Sequence, residues 1–421
     1  MITKQKGMVD IYGDNAKKWL YLEDAIRSVF EKYNYNYMRT PILEASELFH
    51  RTVGETTDIV TKETYDFVDK GGREVTLRPE GTAGIVRSYV ENKMYGDAIQ
   101  PSKYYYMGTM YRYERPQSGR LRELTQYGCE VLGTNDPAID AEIISIPVNL
   151  FKLLGLKKVK VNINTLGDIE SRNNYTKALK EYFKNSIDTL CDDCKQRFEK
   201  NPLRILDCKV DSEKDILKNA PKIIDYLTEE AKARFEEVKK YLDLMQIEYT
   251  VDSNIVRGLD YYNHTVFEVV ADLKELGPGS VLCGGGRYNN MVNDLGGQET
   301  PAMGFAGGLD RLLLVLDTED IKINIKNEID AFIMYVSESE KEYAVSLNQS
   351  LRLNGFVSDM EYMKRNLKGQ FKQADRLNSR FLIILNDNDI KEGNIKIKDN
   401  LTKEEKLITE GELIDFLDMN M

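Results

Sequence analysis

Residues 16 to 33 carry Trp19, Leu22, Ile26, Val29, Phe30 and Tyr33 at helical spacing, with Asp14 or Asn15 available as the cap, so the chain opens on an amphipathic helix. Tyr37 to Leu43 reads as a short strand, in which Pro41 lacks an amide hydrogen and suits an edge or a strand end. Two long strand patterns between Lys103 and Gly133 flank Arg115-Pro116-Gln117-Ser118-Gly119-Arg120, whose composition marks a loop; together they predict a β-hairpin. A helix over 134 to 154 and a strand over Lys158 to Thr165 follow.

Between about Gly167 and Tyr249 the pattern changes to lysine- and glutamate-rich helical segments, such as Thr228 to Met245. This predicts a helical insertion over 167–249 that divides a first domain into 1–166 and 250–322. Strand patterns resume at Tyr261 to Ala271 and Ser280 to Cys283, and Gly284, Gly285 and Gly286 then predict a loop. Pro301 to Leu316 predicts a short strand, a turn at Gly307-Gly308 and a leucine-rich helix. Beyond a polar linker, residues 328–421 alternate strand and helix, the pattern of a small α/β domain.

With 421 residues and 42% hydrophobic content, the chain can bury two or three cores. No stretch approaches the roughly 18 apolar residues of a membrane span and the N-terminus has no apolar leader, so the expected location is the cytoplasm, with no membrane partner. Five irregularly spaced cysteines argue against a disulfide framework. Cys191, Cys194 and Cys208 form a loose group, but with no fourth Cys or His near them the sequence assigns no metal site. A net charge of -11 disfavours general attraction to a polyanion. Residues 351 to 380 nevertheless set seven cations against three carboxylates, a local net of +4, which reads either as a nucleic-acid patch or as a solvated helix face.

Phosphate-binding P-loops, dinucleotide fingerprints and nucleophile elbows are missing from the sequence. His50 and His264, far apart, do not make a His-rich metal site or a triad. The hairpin carries more. Met110, Arg112 and Glu114 share a face of its outgoing strand, and Leu124, Gln126, Gly128, Glu130 and Leu132 share a face of the returning one. An amide, a bare backbone position and a carboxylate in a row suit a small ligand lying on a sheet, or equally a solvated sheet face. Three other segments add weight. Leu77-Arg78-Pro79-Glu80-Gly81-Thr82 puts a carboxylate and a hydroxyl on a tight turn, as an ammonium site needs. Arg257-Gly258-Leu259-Asp260-Tyr261-Tyr262 sets an arginine beside a glycine and two polar-tipped rings. Gly304-Phe305-Ala306-Gly307-Gly308-Leu309-Asp310-Arg311 brings an arginine into the first turn of a helix, where amides and a guanidinium together favour phosphate.

In this order the segments resemble the three signature motifs of class II aminoacyl-tRNA synthetases, and most closely those of the histidyl-tRNA synthetases. The helix and strand ending at Pro41 look like the dimer-forming first motif, Tyr111 to Pro116 like the second and Gly307 to Arg311 like the third; Arg257 to Tyr262 is similar to a signature of the histidine enzymes. Asp310 stands where a glutamate is common, and Cys129 where a β-branched residue is often found.

The resemblance implies an α+β catalytic domain on a six- or seven-stranded antiparallel sheet (the class II synthetase fold), a helical insertion touching the tRNA acceptor arm, and a C-terminal α/β anticodon-binding domain. It implies that the chain activates L-histidine with ATP and Mg²⁺ and transfers it to the 3′ end of the histidine tRNA, working as a homodimer. Arg112, Arg257 and Arg311 would be catalytic through the phosphates, with Arg112, Glu114, Arg120 and Arg311 binding ATP and Glu123 a candidate Mg²⁺ ligand. The histidine site would comprise Glu80, Gly81, Thr82, Arg112, Gln126, Glu130, Arg257, Tyr261 and Tyr262. Within it Glu80, Thr82 and Gln126 would face the α-ammonium, Glu130 and Tyr262 would read the imidazole, and Gly284, Gly285, Arg287 and Tyr288 would form the floor. Gln117, Ser118 and Gly119 would meet the acceptor end of tRNA. The rival reading is a non-catalytic paralogue that regulates the ATP phosphoribosyltransferase complex; such proteins erode these signatures and usually lack the last domain.

Overall fold

The structure is a computed structural model that describes the chain apart from residues 55–56, 58, 118, 209, 256–260, 274–279, 324–327 and 421. It divides into two compact units, Met1–Ile323 and Asn324–Met421. The strands of the first unit are β1 (Asn36–Tyr37), β2 (Leu43–Ala45), β3 (Tyr65–Val68), β4 (Glu74–Leu77), β5 (Ser102–Tyr111) and β6 (Glu123–Leu132), then β7 (Val159–Thr165), β8 (Thr250–Val251), β9 (Asn263–Ala271), β10 (Ser280–Arg287) and β11 (Ala302–Gly308).

Eight of these form one sheet in the order β1-β5-β6-β11-β10-β9-β7-β8. The six central strands are antiparallel, but the two-residue edge strands β1 and β8 pair in parallel, so the sheet is wider and more mixed than the resemblance implied. Because side chains alternate across a strand, each strand sends one set of residues to each face. One face carries Tyr105, Cys129, Phe267, Met303 and Phe305 into the main core. Against it pack the helices Asp14–Lys32, Pro137–Leu153 and Leu309–Thr318, through residues such as Leu22, Ile26, Ile143, Phe151 and Leu312. The opposite face holds the cavity described below.

Several expectations shift. The first helix already includes both expected caps: it begins at Asp14, its N-cap is Gly13 at φ +61°, and Asp14 lies inside the first turn, where its charge favours the positive helix end. The expected strand over Tyr37 to Leu43 is two strands in two sheets, β1 in the large one and β2 in a small sheet ordered β2-β4-β3. The chain crosses between them at Thr40-Pro41, where Arg78 donates from Nη1 to the Thr40 carbonyl at 2.9 Å and its amide bonds to Ile42 O at 2.9 Å. Gly284 to Gly286, expected as a loop, are the middle of β10: ladders from β9 and β11 on both sides hold backbone that has no side chain to announce it. The Gly307-Gly308 turn is likewise the end of β11, from which the helix Leu309–Thr318 starts directly.

The helical stretch between β7 and β8 contains Ile169–Phe183, Asp192–Lys200 and Glu229–Leu244, the last capped by the Thr228 hydroxyl on the Ala231 amide at 3.2 Å. Tyr175, Leu179 and Phe183 pack into a cluster shared with Tyr89, Tyr262 and Tyr288, so these helices back one wall of the cavity. The second unit has β12 (Ala331–Met334), β13 (Ser358–Met360), β14 (Phe381–Ile384), β15 (Asn394–Asp399) and β16 (Glu405–Thr409), in the order β13-β12-β14-β15-β16. Its first helix, Glu338–Leu353, opens on a reciprocal cap between Ser337 and Glu340.

Beneath the large sheet lies a buried ion network. Arg287 has no accessible surface and donates from Nε to Asp140 Oδ1 at 3.1 Å; Asp140 also accepts from Thr265 Oγ1 at 2.7 Å and from Arg234 Nη2 at 3.3 Å. Removing one member of such a network strands a buried charge. Asp140→Ala is therefore expected to destabilise the first unit by about 3–5 kcal/mol, measured by chemical denaturation; a loss below about 1 kcal/mol contradicts the pairing.

Candidate active site

Strand register determines which residues face the cavity. Glu130 pairs with Gly304, Gly128 with Ala306 and Gln126 with Gly308, while Ala306 pairs with Gly284 and Gly304 with Gly286. One face of three neighbouring strands, β6, β11 and β10, is thus paved largely with glycine and alanine between Gln126 and Glu130. The bareness is required at Gly304, where an added Cβ would collide with the Glu130 carboxylate, and at Gly128, where it would come within 2.7 Å of the Tyr106 hydroxyl. Above this floor is a cavity of about 380 Å³, lined among others by Glu80, Thr82, Gln126, Tyr262, Glu268 and Gly284.

Glu80 and Gly81 lead into the helix Thr82–Glu91, which Thr82 opens, and the three are already bound to one another and to the sheet. The Glu80 carboxylate accepts from the Thr82 amide at 2.7 Å and from the Ala83 amide at 2.8 Å. Gly81 donates its amide to Gln126 Oε1 at 2.9 Å. Burial raises the Glu80 pKa, against the pull of those amides and of Arg112.

Glu130 sits beneath Thr82 and is 1% exposed. Its carboxylate accepts from Thr82 Oγ1 at 2.7 Å and from the Tyr288 hydroxyl. No cationic side chain among the described residues forms an ion pair with it. Burial is the largest influence and pushes its pKa up to about 8, although the Tyr288 and Thr82 hydroxyls work the other way. Aromatic rings close this end: Tyr261 and Tyr262 lie 4.5 Å apart with hydroxyls at 3.4 Å, and Tyr288 meets Tyr261 edge-on at 5.5 Å. The Tyr106 hydroxyl, beside Gly128, is buried and has no hydrogen-bond partner among the described residues.

The other end of the cavity is cationic. Beyond the end of β5, Arg112 keeps the hairpin in register through its amide on Arg122 O at 2.9 Å, and its Nε donates to Pro79 O at 2.9 Å. Arg120 lies 3.5 Å from Glu114, and Arg311 donates from Nη1 to Val281 O at 2.6 Å. Arg112, Glu114, Arg120 and Arg311 all line the cavity, with Gly119 of the hairpin loop beside them. Burial lowers the Arg311 pKa, and the neighbouring charges of Arg120 and Arg112 lower it further while Glu114 opposes them. Three guanidiniums converging at a cavity wall in this way invite an anion.

Some sequence-based assignments move. Arg287 is not a floor residue; it points into the Asp140 network. Gly285 pairs with Phe305 and lies on the core face, so of these glycines Gly284 lines the cavity, with Gly286 on the same strand face against Tyr262. Tyr288 reaches the site from its side, through Glu130. Glu123 does not line the cavity and accepts from the Tyr111 hydroxyl at 3.2 Å. Arg257 to Asp260 and Ser118 lie outside the described residues; Gln117 bridges to Arg120 at the hairpin tip. Gly304, Tyr106 and Glu268 were not singled out beforehand. Only the strand register brings them to the face that Gln126 and Glu130 share.

The raised Glu130 pKa has a signed consequence. Between its ordinary value of 4.5 and about 8 the folded chain keeps a proton that the unfolded chain releases, so this contribution to stability is full below 4.5 and is lost as pH rises through about 8. Relative to Glu130→Gln, which cannot titrate, the stability of the unaltered chain is expected to fall over that window by up to about 1.4 kcal/mol per pH unit. Denaturation of both forms across pH tests this; a difference that stays flat contradicts a carboxyl held protonated.

Comparison with known proteins agrees with the geometry. A family model described as histidyl-tRNA synthetase matches residues 7–312, and one for an anticodon-binding domain matches residues 330–420. The histidine--tRNA ligase of Anoxybacillus flavithermus is 49% identical over 404 residues, 96% of each chain. That of Ligilactobacillus salivarius is 50% identical over 397 residues, 94% of this chain and 92% of its own. The crystal structure of apo S. aureus histidyl-tRNA synthetase superposes with a TM-score of 0.86 at 41% identity, covering 99% of this chain and 100% of that one. Matched over most of its length by the family model, and near half identical to these relatives along almost all of it, the chain belongs to the histidyl-tRNA synthetase family.

Proposed function

We propose that the chain is a histidine--tRNA ligase: it joins L-histidine to ATP as histidyl-adenylate with release of pyrophosphate, then passes histidine to the 3′ end of its tRNA. The observation that carries this reading is one cavity with two unlike ends: a buried, hydroxyl-flanked carboxylate beneath one and three guanidiniums at the other. The imidazole sits over the glycine floor against Tyr261 and Tyr262, and a ring N–H replaces the Thr82 hydroxyl as a donor to Glu130. Thr82, so released, turns with Glu80 and Gln126 toward the α-ammonium. A pocket whose buried polar groups are satisfied only by an imidazole rejects other side chains, which would leave those groups unpaired.

In the first step the histidine carboxylate attacks the α-phosphorus and pyrophosphate leaves. Arg112 and Arg257 stabilise the charge that builds on the α-phosphate oxygens, and Arg311 holds the far phosphate, with Arg120 and Glu114 setting the nucleotide. Mg²⁺, which favours one or two carboxylates together with substrate phosphates, fits a cavity lined by Glu114 and Glu268 and supplies charge neutralisation on the phosphates. In the second step the terminal ribose hydroxyl attacks the acyl carbon and AMP leaves. Gln117, Ser118 and Gly119 meet the acceptor end.

In the second unit Arg352, Arg365 and Arg380 of the basic segment are engaged with Ser358 and Asp359, with Glu361 and with Asp399 respectively. Lys364, Lys368, Lys372 and Arg376 recur every fourth residue along an exposed stripe of the helix Leu367–Arg376 and its approach. That stripe is the face we assign to the anticodon arm. Exposed Tyr37, Leu43, Phe67 and Val68 near the edges of both sheets support pairing into a homodimer. No helix among the described residues is long and apolar enough to cross a membrane, and the substrates assign the enzyme to the cytoplasm. The regulatory-paralogue reading is not favoured, because the second unit and the arginine cluster are both present.

Amino-acid-dependent exchange of pyrophosphate into ATP is expected with histidine and with no other standard amino acid. Arg112→Ala and Arg257→Ala are each expected to lower that exchange by about 10²–10³-fold with the chain still folded by circular dichroism. No exchange with histidine overturns the proposed activity; a loss below tenfold removes the altered arginine from the mechanism.

A further inference from the structure

Cys191 immediately precedes the helix Asp192–Lys200, and Cys194 lies in its first turn. Cys208 and Asp211 follow the short helical turn Pro202–Ile205. The fold folds these two stretches together so that three sulfurs and one carboxylate oxygen all lie within 4.8 Å of one another. Cys191 Sγ is 3.6 Å from Cys208 Sγ, and Cys208 Sγ is 3.7 Å from Asp211 Oδ2. Ligands on a tetrahedral zinc, with Zn–S about 2.3 Å and Zn–O about 2.0 Å, stand about 3.8 Å apart for two sulfurs and about 3.5 Å for sulfur and oxygen. The observed separations are close to those edges.

The surroundings are built like a ligand shell. Asp211 donates its amide to Cys208 Sγ at 3.4 Å, an amide-to-sulfur contact of the kind that orients a metal-binding sulfur. The Asp211 carboxylate is oriented by the Cys191 amide on Oδ2 at 2.8 Å and by Lys214 Nζ on Oδ1 at 2.8 Å. Cys194, Cys208 and Asp211 are all at most 3% exposed. Packing alone does not account for a carboxylate buried against three sulfurs, since apolar side chains would fill the same space without its desolvation cost.

We propose that Cys191, Cys194, Cys208 and Asp211 bind a zinc ion that clips the helical region between β7 and β8. This region has reason to need a clip. Around the cluster its regular elements are short, Ile187–Thr189, Asp192–Lys200, Pro202–Ile205, Asp215–Lys218 and Ile223–Tyr226, and apart from Pro202–Ile205 each buries at most one side chain. On binding, zinc displaces the three thiol protons, and no redox step is involved. The clip is separate from the adenylation cavity, so it stands whether or not the proposed activity does.

The test is the metal content of the full chain, expressed with added zinc and purified without chelators. Elemental analysis is expected to find about one zinc per chain, released by a mercurial thiol reagent. Cys208→Ser and Asp211→Ala are expected to lower that content at least severalfold, and Cys129→Ala to leave it unchanged. Cobalt in place of zinc is expected to give the intense visible bands of a tetrahedral thiolate site. The proposal is overturned if the unaltered chain carries no zinc and takes up neither added zinc nor cobalt. It is equally overturned if the chain with both Cys194→Ser and Cys208→Ser keeps its zinc, or if the native chain holds a Cys191–Cys208 disulfide.

Discussion

A carboxyl group buried without a cationic partner is costly to ionise, and the construction of the site follows from keeping one there. Glu130 is covered by Thr82 and Tyr288 and rests against backbone at Gly304, where a side chain would occupy its space. Its position fixes the neighbours. Thr82 must open the helix Thr82–Glu91 above it, Tyr288 must be delivered from just past β10, and β11 must present glycine opposite. The buried pair of Arg287 and Asp140 steadies the end of β10 from the other side of the sheet. Electrostatics then separate the cavity into two ends. Arginines gather at the end nearest the hairpin loop, and at the aromatic end the carboxyl is held by the Thr82 and Tyr288 hydroxyls.

The same division explains how an unliganded site avoids collapse. Glu80, Gly81, Thr82, Gln126 and Glu130 satisfy one another in a continuous set of hydrogen bonds, so the groups proposed to meet the amino acid are not left orphaned. A ligand must exchange bonds with this set instead of merely filling space. That favours a ligand bringing both an ammonium and a ring N–H. The arginines are held similarly: Arg112 and Arg311 donate to carbonyls and Arg120 stands near Glu114, which fixes the position of each.

Much of this was legible in the sequence, and the rest was hidden for identifiable reasons. Strand alternation placed Gln126, Gly128 and Glu130 on one face of the hairpin before any pairing was known. Arg311 was legible as an arginine in the first turn of the helix that starts from Gly307-Gly308. Gly284 to Gly286 misled because glycine carries no pattern: the same residues make a loop when unpaired and a floor when paired on both sides. Arg287 misled because a basic residue beside a candidate pocket reads as a ligand group, while its partner Asp140 is distant in sequence. Asp211 was not legible as a companion of the cysteines because a carboxylate in a charge-rich stretch reads as a surface group until the fold buries it against their sulfurs.

The central claim is that Glu130, not Glu80, receives the ring of the amino acid. A crystal structure of the chain with histidine bound tests it most directly. The account predicts a ring nitrogen within about 3.2 Å of the Glu130 carboxylate, the Thr82 hydroxyl released from it, and the α-ammonium among Glu80, Thr82 and Gln126. An intact Thr82–Glu130 bond, with the imidazole directed toward the arginines, would contradict it.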